Sequence, residues 1–262
     1  MAALSAEMRT REQFLLTVAD DTEDAPWMVM NSLQVRDIDL LKSILQLHAR
    51  RQDLPWMIDS YLKVSIPRPD GRPLDAAPDL MVALGVEDRL RTSWQIPDEG
   101  KAPEFALEVS SPDSWARDRD EKPSIYDCMG VSEYVLFFPR QQERGPWLLG
   151  HRRGPDGAFV EIAPDARGLL WCTSLDLGLT VEGGLWLRAV DAQGRRLPSP
   201  DEWAAAEAHA RRAADRRASE EVQARAQAEQ RASEEAKARI AAEDEVHRLR
   251  EELRRRDQPA QN

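Results

Sequence analysis

The sequence is short of the residues that mark several functional classes. Only Cys128 and Cys172 are cysteines among 262 residues. Two thiols make no disulfide framework and have no zinc-ligand spacing, and a reducing cytoplasm is their natural setting. The four histidines, His48, His151, His209 and His247, are scattered without ligand spacing, which argues against a histidine-built metal or catalytic centre. No segment approaches the roughly 18 apolar residues of a membrane span. The start, Met1 to Met8, lacks a basic region followed by an apolar run, so neither a signal peptide nor a membrane partner is expected. Gly145, Gly150, Gly154 and Gly157 form no phosphate-cradling motif. Ser110 and Ser111 have no adjacent histidine and sit in no Gly-x-Ser-x-Gly elbow.

Positive charge is scarce too. Lys and Arg number 36 against 47 Asp and Glu, for a net charge of -11. The segment from Asp201 onward holds 15 acidic and 13 basic residues, so nine of those negative charges belong to the part before it. Such a balance repels nucleic acid at long range and speaks against a simple DNA-coating protein. It speaks less against an enzyme that holds phosphate through a metal ion.

What is present fits a folded domain: 42% apolar residues and eight tryptophans. Residues 1 to about 30 are polar and irregular. From Val35 to Arg51, Ile38, Leu41, Ile44, Leu45 and Leu47 recur at helical spacing. Strand-like composition follows at Trp56 to Ile58 and Tyr61 to Ile66, with a Pro-Asp-Gly turn between Pro67 and Arg72. Pro78 to Leu84, Phe105 to Val109 and Glu133 to Phe138 read as short buried strands. A helix is expected from near Asp118 to Met129, with Gly130 at its left-handed end. Residues 107–138 are long enough for a strand–helix–strand crossover, and several further short strands are expected between Trp147 and Leu187. The order implies an α/β fold around a mixed sheet. From Ser199 the chain changes character. Some fifty residues rich in Ala, Glu and Arg follow a Pro-Ser-Pro-Asp-Glu start, and they predict one long helix. Its 4-3-4 seam (Ala242, Val246, Leu249, Leu253) continues backward through charged Arg239 and Glu235, so any coiled coil would be thin and lined by alanine. The expected domains are therefore 1–198, a helical segment 199–257 and a frayed tail 258–262.

Three charged residues occupy positions that call for a reason. Asp79 opens a buried strand after Pro78, Glu108 lies within a second strand, and Lys122 follows at the helix after it. An ionised group in an apolar strand is costly unless paired or bound to a metal. Two carboxylates converging at one sheet edge can hold a hard cation such as Mg2+ or Mn2+, with Lys122 steadying charge on a phosphate. Plainer roles remain open: Asp79 as a turn cap, Glu108 paired with arginine or facing solvent, Lys122 solvated among Asp118, Asp120 and Glu121. Tyr126 and Tyr134 are assigned to packing.

The run Pro78-Asp79, Glu108-Val-Ser-Ser-Pro112, Asp118-x-Asp-Glu-Lys122, Tyr126 and Gly130-Val-Ser-Glu-Tyr134 closely resembles the Uma-two family of endonucleases. That family is placed in the PD-(D/E)XK, or restriction-endonuclease-like, superfamily, and the resemblance covers roughly Trp56 to Arg256. It implies a restriction-endonuclease-like mixed sheet flanked by helices, here followed by a long C-terminal helix. It also implies metal held by Asp79, Glu108 and the carbonyl of Val109. The third position of the superfamily's Glu-x-Lys is Ser110 here, and Lys122 matches the place to which the lysine moves in the Uma-two family. Asp37 and Asp39 are the candidates for an acid on the first helix, neither within a motif. The expected function is Mg2+-dependent hydrolysis of phosphodiester bonds in nucleic acid, DNA first, with a homodimer through the core or the C-terminal helix as a possible assembly. The alternative is a non-catalytic interaction protein that keeps the nuclease fold and assembles through that helix.

Overall fold

The computed structural model describes residues 32–139, 148–184 and 186–256. The expected irregular arm before residue 30 and the frayed tail 258–262 lie outside them. The first described element is α1 (Ser32–Arg51). Ile38, Leu41, Ile44, Leu45 and Ala49 are all buried along it. His48, Arg50 and Arg51 fill its last turn, where cations complement the helix dipole. Strands β1 (Trp56–Asp59), β2 (Val64–Pro67), β3 (Pro73–Ala76) and β4 (Leu80–Leu84) follow. The expected strand from Tyr61 starts only at Val64, because Tyr61 adopts φ +59° and breaks the extended chain. The Pro-Asp-Gly turn joins β2 to β3, with Gly71 at φ +83°.

Next come β5 (Trp94–Gln95), the single turn α2 (Ile96–Glu99) and β6 (Phe105–Val109). The expected helix near residues 118–129 is two helices, α3 (Trp115–Asp120) and α4 (Lys122–Met129). The break falls at Glu121, and Pro123 sits in the first turn of α4, where its missing N–H costs nothing. Gly130 ends α4 in the left-handed region at φ +88°. Strands β7 (Glu133–Phe137), β8 (Leu148–Arg153), β9 (Phe159–Ile162), β10 (Leu170–Cys172), β11 (Leu177–Glu182) and β12 (Trp186–Val190) complete the body.

The main sheet has the order β1-β4-β6-β7-β8-β9. Only β6 and β7 pair in parallel within it, so the sheet is mixed. Helices α3 and α4 supply the crossover that a parallel pair requires. Side chains alternate between two buried faces. Leu80, Val82, Phe105, Leu107, Val135 and Phe137 point into a core shared with α1 and the small sheet β10-β11-β12. Met81, Ala83, Ala106, Tyr134 and Leu136 point into a second core with α4 and the sheet β3-β2-β5. Cover on both faces explains why these central strands read as continuous apolar runs rather than alternating ones.

From Pro200 the chain is one helix of 57 residues, α5 (Pro200–Arg256). The chain divides into two compact units between Asp201 and Glu202. Among the described residues no helix is long and apolar enough to cross a membrane.

Candidate metal centre

The β4–β6 register pairs Leu80 with Leu107, and continuing it by one residue sets Asp79 opposite Glu108. Both are buried, at 3% and 2% exposure. The Val109 N–H donates to Asp79 Oδ2 at 2.7 Å, which ties the carboxylate to the end of β6. Period two along β6 puts Glu108 on the face of Ala106, toward α4. There the Lys122 Nζ lies 3.0 Å from Glu108 Oε1. The same Nζ is 3.0 Å from Asp118 Oδ1, a charge contact outside hydrogen-bond alignment. Lys122 is only 4% exposed and Asp118 2%. Neither is the solvated residue that its charged surroundings in the sequence suggest.

Tyr126 lies one helical turn beyond Lys122, and its hydroxyl donates to Glu108 Oε1 at 2.6 Å. The assignment of Tyr126 to packing is therefore incomplete. Its ring does stack on Tyr134 at 5.1 Å, but its hydroxyl also aims the glutamate. Tyr134 in turn donates to the Asp118 backbone carbonyl at 2.8 Å and fixes the start of this charged turn. Tyr126→Phe is expected to destabilise the protein by about 1–3 kcal/mol, because it removes a donor to a buried charged acceptor. Urea unfolding checks this. A loss below a few tenths of a kcal/mol would mean that Glu108 is aimed without Tyr126.

From the other side, Gln34 on α1 donates from Nε2 to the Val109 carbonyl at 2.8 Å. That is the carbonyl expected as a metal ligand, and one of its lone pairs is thus in use. Gln34 is the α1 residue in contact with the Val109 peptide that sequence reasoning missed: a neutral amide outside any motif. Asp37 is buried and Asp39 exposed. Tyr61, 42% exposed, has its N–H bonded to the Pro78 carbonyl at 3.0 Å, beside Asp79. Burial and the carboxylates of Asp79, Asp39 and Glu108 hold its phenol pKa well above the ordinary value. Ser110 is buried, and its N–H continues the ladder to the Phe137 carbonyl. His48 packs on Trp56, and His151 lies between Tyr134 and Phe159.

Burial pushes Asp79 up to about 6, against its bond to the Val109 N–H and the charge of Lys122. Asp79 Oδ1 is buried without a hydrogen-bond partner among the described residues. Two facing carboxylates with one orphaned oxygen are satisfied either by a shared proton or by a cation. The residues thus fit a hard divalent ion that takes few protein oxygens and keeps its waters. No group of three His, Cys, Asp or Glu able to hold a metal occurs among the described residues.

The raised pKa carries a signed prediction for metal-free protein. Asp79 is harder to ionise folded than unfolded, so its protonated form contributes stability that is lost as pH climbs from about 4 through about 6. Asp79→Asn removes that titration. In EDTA, the variant's melting temperature relative to wild type should rise between pH 4 and pH 7. A flat difference would mean that Asp79 ionises at no cost in the fold.

A family model described as "Uma2: Putative restriction endonuclease" matches residues 28–182, more than half of the chain. The chain belongs to the Uma2 family. The Uma2 match contains Asp79, Glu108 and Lys122 and ends at Glu182, the last residue of β11, so α5 lies beyond it. A solved structure titled as a "putative nuclease belonging to DUF820" from Anabaena variabilis ATCC 29413 is similar to this Uma2 chain at 16% identity and a TM-score of 0.40, over 56% of this chain and 75% of that one. No curated protein matches.

Proposed function

We propose that this chain is a Mg2+- or Mn2+-dependent endonuclease that hydrolyses phosphodiester bonds, with DNA as its substrate. The observation that carries the reading is the facing pair Asp79 and Glu108 with one unsatisfied oxygen, braced by Lys122, within the matched Uma2 region. Asp79 and Glu108 would hold the ion, with the free lone pair of the Val109 carbonyl as the third protein oxygen. A bound divalent ion supplies a polarised phosphoryl oxygen and a water of lowered pKa.

The chain's own residues have distinct tasks. Val109 N–H and Tyr126 fix the two carboxylates, one on each side of the site. Lys122 offsets carboxylate repulsion while the ion is absent, and would steady negative charge on a scissile phosphate when it is present. The acidic body makes this ion the natural contact for phosphate, since long-range attraction is missing. Cys128 and Cys172 are buried and form no disulfide, in keeping with a reducing cytoplasm as the working compartment.

Metal binding tests the reading. Titration calorimetry with Mn2+ should show one site in wild type. Affinity should fall at least about 100-fold in Asp79→Ala and in Glu108→Ala, since even supporting residues of a metal site cost 10–100-fold. Equal affinity in all three proteins would remove the pair from the role of ligands.

A further inference from the structure

The helix α5 carries a feature that the nuclease reading does not use. Its side chains are exposed from Ala204 to Leu253, apart from half-buried Ala213. Within it lie three tandem 14-residue repeats, 204–217, 218–231 and 232–245. Each opens on Ala (204, 218, 232), has Glu at its fourth place (207, 221, 235) and Arg at its eighth (211, 225, 239). Each also has Ala at its eleventh place (214, 228, 242). These four places fall at spacings of 3, 4, 3 and 4, which is one coiled-coil seam. Along it the residues run Ala, Glu, Arg, Ala, repeated every two heptads.

Alanine on a helix face decides nothing by itself; the order of the charges does. In a parallel, in-register pair each layer faces itself. Glu207, Glu221 and Glu235 would meet their own copies, and so would the three arginines, giving six like-charged layers. Reversing one helix exchanges the two seam positions, so that each faces the other type. About a centre between Glu221 and Arg225, Glu221 then faces the partner's Arg225, Arg211 faces the partner's Glu235, and Glu207 faces the partner's Arg239. In the same alignment Ala214 faces the partner's Ala232, and Ala218 faces the partner's Ala228. All six charged layers become opposite-sign, and all the others between residues 204 and 242 are Ala on Ala. Small side chains let two helices approach closely, which brings the flanking charges within reach. The competing self-match, Val246, Leu249 and Leu253 in a parallel pair, spans only about two turns, too few to hold a pair of helices.

We propose that α5 is an antiparallel self-association helix whose occupant is a second copy of α5, in the register that sets Glu221 against the partner's Arg225. A second copy is the partner that the charge order itself specifies, because the sequence is complementary to its own reverse. The near-neutral tail, with 15 acidic and 13 basic residues, meets no net repulsion in doing so.

Light scattering on the full chain tests assembly, and two triple variants test the cause. Wild type should have about twice the 29.7 kDa chain mass at micromolar concentration. Glu207→Arg with Glu221→Arg and Glu235→Arg should halve it, as should Arg211→Glu with Arg225→Glu and Arg239→Glu. An equimolar mixture of the two variants should regain the dimer mass, which excludes misfolding as the cause of dissociation. Orientation is read by a short bismaleimide linker. Cys128 and Cys172 are buried and stay silent. Ala218→Cys mixed with Ala228→Cys should cross-link between chains. Either variant alone should not, its copies being about 15 Å apart along the axis. A monomeric wild type, a dimer that survives both triple variants, or cross-linking of Ala218→Cys with itself would overturn the proposal.

Discussion

Replacing Lys122 with methionine should destabilise the metal-free protein by about 3–5 kcal/mol at neutral pH. The side chain is 4% exposed and its ammonium lies 3.0 Å from both Glu108 and Asp118. Asp79, opposite Glu108, is a third buried carboxylate in the same space. Methionine keeps the volume and the unbranched stem, so little packing is lost. The loss comes from leaving carboxylates together in low dielectric without their cation. Two further outcomes follow. The deficit should shrink as pH falls from 7.5 toward 5, because Asp79, pushed up to about 6 by burial, takes up a proton and no longer adds to the stranded charge. It should also shrink with Mn2+, which replaces the missing positive charge. Urea unfolding at the two pH values, with and without Mn2+, reads all three. A deficit under about 1 kcal/mol at pH 7.5 would show that Lys122 is not the counter-charge of the site.

Glu133→Ala should be of similar size, about 3–5 kcal/mol, for a different reason. Glu133 begins β7 and is 1% exposed. Its Oε1 accepts from Arg152 Nε at 2.6 Å and from the Thr173 N–H at 2.9 Å, and its Oε2 accepts from the Ser174 N–H at 2.8 Å and from the Ser174 hydroxyl. It therefore ties the main sheet to the turn after β10 and holds the small sheet in place. The substitution strands two backbone donors and leaves Arg152 with its bond to the Trp171 carbonyl but without its carboxylate. The melting temperature should drop by roughly 10 °C at this chain length. Metal affinity should stay unchanged, since Glu133 lies at the opposite end of the β6–β7 ladder from Glu108. A loss of metal affinity without a loss of stability would assign Glu133 to the centre instead. Under the proposed function two buried strand glutamates have opposite roles, and only their partners tell them apart.

That contrast shows where sequence reasoning reached its limit. Strands β4, β6 and β7 were legible because both their faces are covered, which forces unbroken apolar runs. The parallel crossover followed from the length between them, and the left-handed Gly130 from its place after a helical stretch. The charged pair Asp79 and Glu108 stood out because ionised groups in such runs need a reason. Lys122 stood out by its place at the helix after β6, with a solvated role left open, and Asp118 did not stand out by itself. Both sit in a run of charges that reads as a wet surface, and they become buried where Glu108 arrives from another strand. Tyr126 looked like a packing residue because a phenol's ring is visible in a pattern and its hydroxyl's partner is not. Gln34 has no charge and no motif, and its contact with Val109 spans 75 residues of sequence. The two-residue β5 and the single turn α2 are too short for any periodicity to register.

The measurement that bears most directly on the central claim is nicking of supercoiled plasmid by the full-length protein in Mg2+, in Mn2+ and in EDTA, beside Glu108→Ala. Cleavage that needs the metal and falls at least about 100-fold in the variant is the predicted result. Cleavage that persists equally in Glu108→Ala, or in EDTA, would contradict a metal centre built on Asp79 and Glu108.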